Sequence, residues 1–147
     1  MEFGWINLFG AGIVILMMVP NIVYAIRNKD EKNLCTNRFM NILEQLGRYG
    51  CIVLIWLPLL VWKFGFSSDS LMLIDVLGNV ILLAAYIIVF AKHLRKKSTA
   101  SSLTLAILPA CIFLLSGLTL RHWPLAGFAV LFAIGHIFVI WKNIEKK

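Results

Sequence analysis

The apolar residues of this chain are gathered into five long blocks, and this grouping decides what the chain can fold into. The blocks cover residues 5–26, 45–66, 71–91, 103–120 and 124–141. A helix needs roughly 20 mostly apolar residues to cross a hydrocarbon core about 30 Å thick. None of the blocks alternates polar and apolar residues as the strands of a membrane barrel do. We therefore predict an all-α integral membrane helical bundle, a single domain over residues 1–147 with five transmembrane helices.

The composition supports the same class of protein. Hydrophobic residues make up 61% of the 147 residues and charged residues only 14%, whereas soluble domains have about 45–50% and about 25%. These values exclude a water-soluble globular fold and a disordered chain. The three cysteines are far apart and form no CxxC pair, so we expect reduced thiols and not a disulfide framework.

The basic residues predict how the chain is oriented. Eleven of the fourteen Lys and Arg residues lie in the segments 27–38 and 92–97 and in the carboxyl-terminal tail. Lys63 and Arg121 fall in the connections on the other side. Short basic loops stay on the cytoplasmic side of a membrane. We therefore expect the amino terminus outside, the carboxyl terminus in the cytoplasm, and the cell (cytoplasmic) membrane as the location.

The start of the second block is amphipathic. Between residues 37 and 48, apolar side chains recur at helical spacing, while the opposite face carries Asn37, Asn41, Glu44, Gln45 and Arg48. Two interpretations remain open for this segment. It can lie in the membrane interface as a turn that leads into the span, or it can project Glu44 and Arg48 into a polar cavity between helices.

Counting about 1.5 Å per residue from the cytoplasmic ends places several polar side chains at one depth. Asn21 and Tyr24 of the first block, Glu44 and Arg48 of the second, and His136 of the last share the inner-leaflet level. Ionisable groups inside a membrane usually face the bundle interior and mark function. We predict a ligand-binding site from these five residues. Three of them also have a structural alternative: Asn21 repairs the backbone gap left by the preceding proline, His136 bonds across a close helix contact, and Arg48 reaches the headgroups.

A second polar set lies in the outer leaflet. Asp75 and Asn79 are one turn apart in the third block, and Ser116, Arg121 and His122 lie near the outer end of the fourth. An ion pair between Asp75 and Arg121 that ties these spans together is the favoured interpretation. The alternative is a vestibule for an anionic or zwitterionic ligand, formed by Asp75, Asn79 and Arg121.

The sequence contains no HExxH, GxSxG, P-loop or Rossmann pattern. The three histidines lie at different depths, so no two of them face each other as haem ligands. The basic residues form no stripe with interleaved aromatic residues, which argues against nucleic acid. We therefore expect no catalytic residues, no cofactor, no metal and no nucleic-acid partner.

Several short motifs resemble those of a group of short bacterial multi-spanning membrane proteins. They are Pro20-Asn21, the run 44–48 (EQLGR), Pro109 with the run 113–117 (FLLSG), Arg121 and His136. The resemblance extends over nearly the full length. It implies a bacterial inner-membrane location, and it assigns no activity because the group is functionally unassigned.

The favoured functional hypothesis is a multi-pass inner-membrane protein that binds or transports a small molecule or ion at the inner-leaflet site. An alternative is an accessory or regulatory subunit of another membrane protein, and a second alternative is a small lipid-modifying enzyme. The expected partners are membrane lipid and either further copies of this chain or another membrane protein.

Overall fold

The computed structural model describes residues 6–57, 59 and 65–146. Within these residues the chain forms no strand and five helices, namely α1 (Leu8–Arg27), α2 (Arg38–Leu54), α3 (Asp69–Arg95), α4 (Thr99–Thr119) and α5 (Trp123–Glu145). All of them except α2 are long and apolar enough to cross a membrane. The predicted all-α membrane bundle is therefore confirmed at the level of four spans. The fifth span and the orientation stay predictions.

The helix boundaries follow from capping residues. Asn7, Ser68 and Ser98 each accept a hydrogen bond from the backbone of the first turn of α1, α3 and α4 respectively. The predicted tight turn between α4 and α5 is present at residues 120–122, and the proline at residue 124 lies in the first turn of α5. Arg121 adopts a φ of 54° in this turn. The two helices are therefore a hairpin and not one continuous helix.

Helix α2 differs from the predicted second span. It begins at Arg38 and includes the amphipathic segment, which is continuous with the rest of the helix. It ends at Leu54 and not near residue 66, because Pro58 follows closely and residues just before a proline are disfavoured in helical conformation. The remainder of the predicted span, with Pro58 and Lys63, lies mostly outside the described residues.

The helices are arranged around a main hydrophobic core, and a smaller cluster contains Phe66 and Leu120. Helix α2 packs against α5, α5 against α4, α4 against α3, and α3 against α1. The backbone N–H of Asn7 donates to the carbonyl of Trp56 at 2.8 Å, so the start of α1 lies beside the end of α2. The core includes Met17, Cys51 and Phe132, from α1, α2 and α5. The order α1–α3–α4–α5–α2 therefore closes into a ring.

The three basic segments lie at the same end of this ring. Lys97 Nζ contacts Glu31 Oε1 at 2.8 Å, which joins the α3–α4 connection to the α1–α2 connection. Asn143 Oδ1 accepts from the backbone N–H of Leu34 at 2.6 Å, which brings the end of α5 to the same place. The helices therefore all extend from one end of the bundle to the other, and α2 is antiparallel to α5.

The outer surface of the bundle is apolar, as a bilayer requires. On α2, the exposed residues include Phe39, Ile42, Leu46 and Tyr49, each more than half exposed. The buried residues of the same helix are Glu44, Gly47, Cys51 and Leu54. The apolar face of the helix therefore points outward and a carboxylate points inward, which is the reverse of a surface helix in a soluble protein.

Candidate functional site

Glu44 is the centre of a polar cluster in the half of the bundle nearest the basic loops. Its side chain is only 6% exposed. One oxygen, Oε1, accepts a hydrogen bond from Nη2 of Arg48 on the same helix and another from Nδ1 of His136 on α5, at 2.9 Å. Since a carboxylate only accepts, His136 donates from Nδ1, and its Nε2 points away from Glu44. The structure therefore brings together three of the five residues predicted from depth.

Two glycines allow α2 and α5 to approach closely enough for this contact. A Cβ on Gly135 would lie 2.6 Å from the backbone nitrogen of Glu44, and a Cβ on Gly47 would lie 2.6 Å from the Cα of Phe132. Small residues at such contacts are the usual means by which membrane helices pack backbone to backbone. The His136 ring then stacks on Phe132, with the ring centroids 4.9 Å apart, so His136 is held on one face by Phe132 and at Nδ1 by Glu44.

Arg48 differs from its two partners because it is partly accessible. Its side chain is 38% exposed, and Glu44 is the described residue to which its guanidinium bonds. A guanidinium has five N–H donors, so most of them remain available to a ligand. Arg48 is therefore the member of the cluster that a ligand can reach.

Asn21 does not join Glu44 and His136. Its amide nitrogen donates to the carbonyl of Met17 at 2.9 Å, and its oxygen accepts from the Tyr86 hydroxyl at 3.2 Å. The proline at residue 20 frees the carbonyl of Leu16 and not that of Met17, so the expected repair of the backbone gap by Asn21 is wrong. Asn21 instead ties α1 to α3 through Tyr86.

Tyr24 lies in a separate cluster at the basic end. Its hydroxyl bonds to Glu31, Lys97 Nζ lies 5.5 Å from its ring centroid, and its ring meets that of Phe90 edge to face at 6.3 Å. These contacts fasten the connection after α1 to the end of α3. The structure therefore places Tyr24 in a clamp between loops and away from Glu44.

The outer polar set forms without Arg121. Asn79 Nδ2 donates to Asp75 Oδ1 at 3.0 Å and to Ser116 Oγ at 2.9 Å, and Thr119 Oγ1 donates to Asp75 Oδ1 at 2.7 Å. Among the described residues no ion pair joins Asp75 to Arg121, so the predicted ion pair is wrong for this structure. The left-handed conformation of Arg121 directs its side chain to the exposed surface.

Sequence reasoning missed three contributors to these clusters. Tyr86 is the one tyrosine in the third apolar block, and Thr119 follows Ser116 by three residues and so shares its helix face. Both residues could therefore have been identified from the sequence. Phe132 could not, because a phenylalanine in an apolar block does not differ from other lipid-facing or core residues until the neighbouring helices are known.

The Glu44 cluster combines an acceptor, a cation and a titratable ring in a water-poor space. Glu44 Oε2 accepts no hydrogen bond from a described residue, and Arg48 has spare donors. Within the described part of the chain no three His, Cys, Asp or Glu residues are grouped to hold a metal ion. The arrangement is suited to bind a small anion at Arg48 and to move a proton between Glu44 and His136.

No protein-family model matches this chain, and comparison with curated proteins and with solved structures found no match.

Proposed function

We propose that the chain is a five-span protein of the cytoplasmic membrane that binds and transports a small anion at Arg48, with Glu44 and His136 as proton-exchanging partners. The observation that carries this proposal is the shared Glu44 Oε1, which receives Arg48 from its own helix and His136 from α5. A buried carboxylate in a membrane is costly unless it is paired. Its retention between two helices is typical of a functional ion site.

The accessible position of Arg48 supports an anion as the ligand. The side chain has free donors and is more than a third exposed, whereas its partner carboxylate is buried. An anion that bonds to Arg48 competes with Glu44 for the same positive charge. Protonation of Glu44 then releases Arg48 to the anion, so anion binding and proton binding favour each other.

The two faces of α2 support this helix as the fifth span. Its apolar side chains face outward, and its ends lie level with the end of α5 and the start of α1. At 17 residues it is about 26 Å long, close to the thickness of a hydrocarbon core. The positive charges collected at one end then predict a cytoplasmic position for that end.

Binding is tested first, by measuring the Tm of the purified protein against potassium salts of chloride, acetate, phosphate and sulfate at constant ionic strength. We expect one or more anions to raise the Tm of the wild type. Arg48→Gln should weaken that anion by about 10- to 100-fold, as expected for loss of a charged hydrogen bond. Arg38→Gln is the matched control, because Arg38 is exposed at the start of the same helix.

Transport is tested in proteoliposomes that contain a pH-sensitive dye. An inward gradient of the anion that stabilises the protein should acidify the lumen in the wild type. Glu44→Gln should bind the anion but move no proton. An equal Tm response in Arg48→Gln and the wild type would refute the assignment. A stoichiometric co-purifying membrane protein, with no anion response, would support the accessory-subunit alternative instead.

A further inference from the structure

A second polar cluster, in the half of the bundle opposite Glu44, is deeply buried. Asp75 and Asn79 of α3 and Ser116 of α4 are each 1% exposed, and Thr119 of α4 is 4% exposed. Their hydrogen bonds join α3 to α4 through Asp75 Oδ1 and Asn79 Nδ2. The proposed anion site does not use this cluster, and the inference below does not depend on that proposal.

Two oxygens of the cluster are buried without a hydrogen bond. They are Oδ2 of Asp75 and Oδ1 of Asn79. They belong to two side chains that are already bonded to each other through Asp75 Oδ1 and Asn79 Nδ2. Leaving a buried acceptor unsatisfied costs about 1–3 kcal/mol, and more for a charged group. Native proteins rarely keep two such atoms together unless something else binds there.

No cationic side chain of the described residues neutralises Asp75. The groups that face it from α3 and α4 are Asn79, Ser116 and Thr119, all of them neutral. Arg121 is exposed, and Nε2 of His122 bonds to the carbonyl of Leu59 at 3.1 Å. An isolated carboxylate in a membrane bundle is expensive. A positive charge from outside the described side chains is therefore needed.

A cavity of about 240 Å³ between α1 and α3 reaches this cluster. Asn79 contributes to its wall, together with apolar residues of both helices. Gly12 faces it from α1, and a Cβ built there would meet nothing within 4 Å. The cavity is large enough for water and a small ion. Asn79 is the described residue of the cluster that lines the cavity, so the cavity adjoins the cluster at Asn79.

We propose that Asp75 and Asn79 form a binding site for a small monovalent cation, Na⁺ or a proton, which occupies the space between Asp75 Oδ2 and Asn79 Oδ1. Either ion neutralises the carboxylate and satisfies both free oxygens. Na⁺ does so as a hard cation with oxygen ligands. A proton does so by turning Asp75 Oδ2 into a donor toward the Asn79 carbonyl.

The experiment measures the Tm of the full-length protein in detergent or nanodiscs. One series exchanges choline chloride for NaCl at constant ionic strength and pH 8.5. The other raises the pH from 6 to 9 in choline chloride. A Na⁺ site should raise the Tm by about 3 °C at ten times the Kd. A proton site should show no Na⁺ response and lose stability as the pH rises, because the unfolded chain releases the proton.

Asp75→Asn distinguishes cation binding from a merely structural role. The amide keeps the shape of the carboxyl, removes its charge and places a donor at the free Oδ2 position. We therefore expect a Tm at pH 8.5 without Na⁺ at least as high as that of the wild type, with the response to Na⁺ or pH abolished. Asp69→Asn, which removes an exposed carboxylate from the first turn of the same helix, should keep the response of the wild type.

Two results would overturn the proposal. The first is a wild-type Tm that responds neither to Na⁺ nor to pH, together with destabilisation by Asp75→Asn, because both require an internal partner for the charge. The second is an unresponsive wild type that becomes responsive in Lys63→Gln, because Lys63 would then be the partner. A response to Na⁺ or to pH that Asp75→Asn removes would support it, and the two series tell which ion is bound.

Discussion

Replacing Gly135 by alanine should push α2 and α5 apart and break the contact on which the proposed anion site depends. The added Cβ would lie 2.6 Å from the backbone nitrogen of Glu44 and 2.8 Å from its Cα, whereas ordinary contact begins at 3.4 Å. These are backbone atoms, so no side-chain rotation relieves the clash and the helices must separate by about 0.8 Å. If the helices separate by this amount along the direction of the Glu44–His136 hydrogen bond, its length increases from 2.9 Å to about 3.7 Å, which is beyond bonding range.

The cost has two parts. Overpacking a well-packed contact costs about 1–3 kcal/mol, and a hydrogen bond between membrane helices contributes about 0.6–2 kcal/mol. Together they predict a loss of about 2–5 kcal/mol, which corresponds to a fall of about 4–20 °C in the Tm of a chain of this size. The overpacking cost and the hydrogen-bond loss can be measured separately in a Glu44→Gln background. The charged hydrogen bond is already weakened there, so Gly135→Ala should destabilise the protein less than in the wild type.

Gly127→Ala is the matched control. Gly127 lies on the same helix, is exposed, and a Cβ added there would meet nothing within 4 Å. Its Tm should rise by about 2–4 °C above that of the wild type, because only helix propensity changes and alanine is the better helix former. The anion response should be lost in Gly135→Ala although Arg48 is intact. Equal Tm values for the two alanine variants would show that α2 and α5 do not approach at Gly135, and the geometry of the site would then be wrong.

Three further predictions concern the α4–α5 turn, the cap of α1 and the orientation of the chain in the membrane. Arg121→Gly should raise the Tm by about 2–4 °C, measured by thermal unfolding, because glycine adopts the φ of 54° without strain, and a fall in Tm would contradict this. Asn7→Ala should cost about 2 kcal/mol in the same assay, more than the roughly 1 kcal/mol of Asn37→Ala, because the Asn7 side chain is buried and bonds across to α2 while Asn37 is an exposed helix cap. In a variant without native cysteines, Trp123→Cys should react with a membrane-impermeant maleimide in intact cells and Lys96→Cys only after permeabilisation, and the reverse pattern would refute the orientation.

Depth along a membrane helix was predictable from the sequence, because the rise per residue is fixed and successive spans alternate in direction. Counting alone placed Glu44 and His136 at one level, and the structure brings them within 2.9 Å of each other. The same counting gave the four long spans, since a block of about 20 apolar residues has few other ways to satisfy its backbone.

Which helices are neighbours in the bundle could not be predicted from the sequence in the same way. Asn21 lies at the same counted depth as Glu44, but α1 packs against α3, so Asn21 bonds to Tyr86 instead. The contact between α2 and α5 depends on close backbone approach at Gly47 and Gly135. A glycine in a sequence does not indicate which helix it will contact. The error at Arg121 has a similar origin, because the left-handed φ that aims its side chain outward is a property of the turn and not of the residue type.

The buried face of α3 carries polar side chains at two levels. Its buried residues are Asp75, Asn79, Leu83, Tyr86, Phe90 and His93, a single stripe at helical spacing. Asp75 and Tyr86 are about 16 Å apart along the helix; Asp75 lies in the proposed cation site, and Tyr86 bonds to Asn21 of α1. Leu83 lies between them and packs in the same hydrophobic core as Phe113. If the chain is the carrier proposed above, this apolar layer is what prevents ions from leaking past Leu83, and transport would require a movement that opens it.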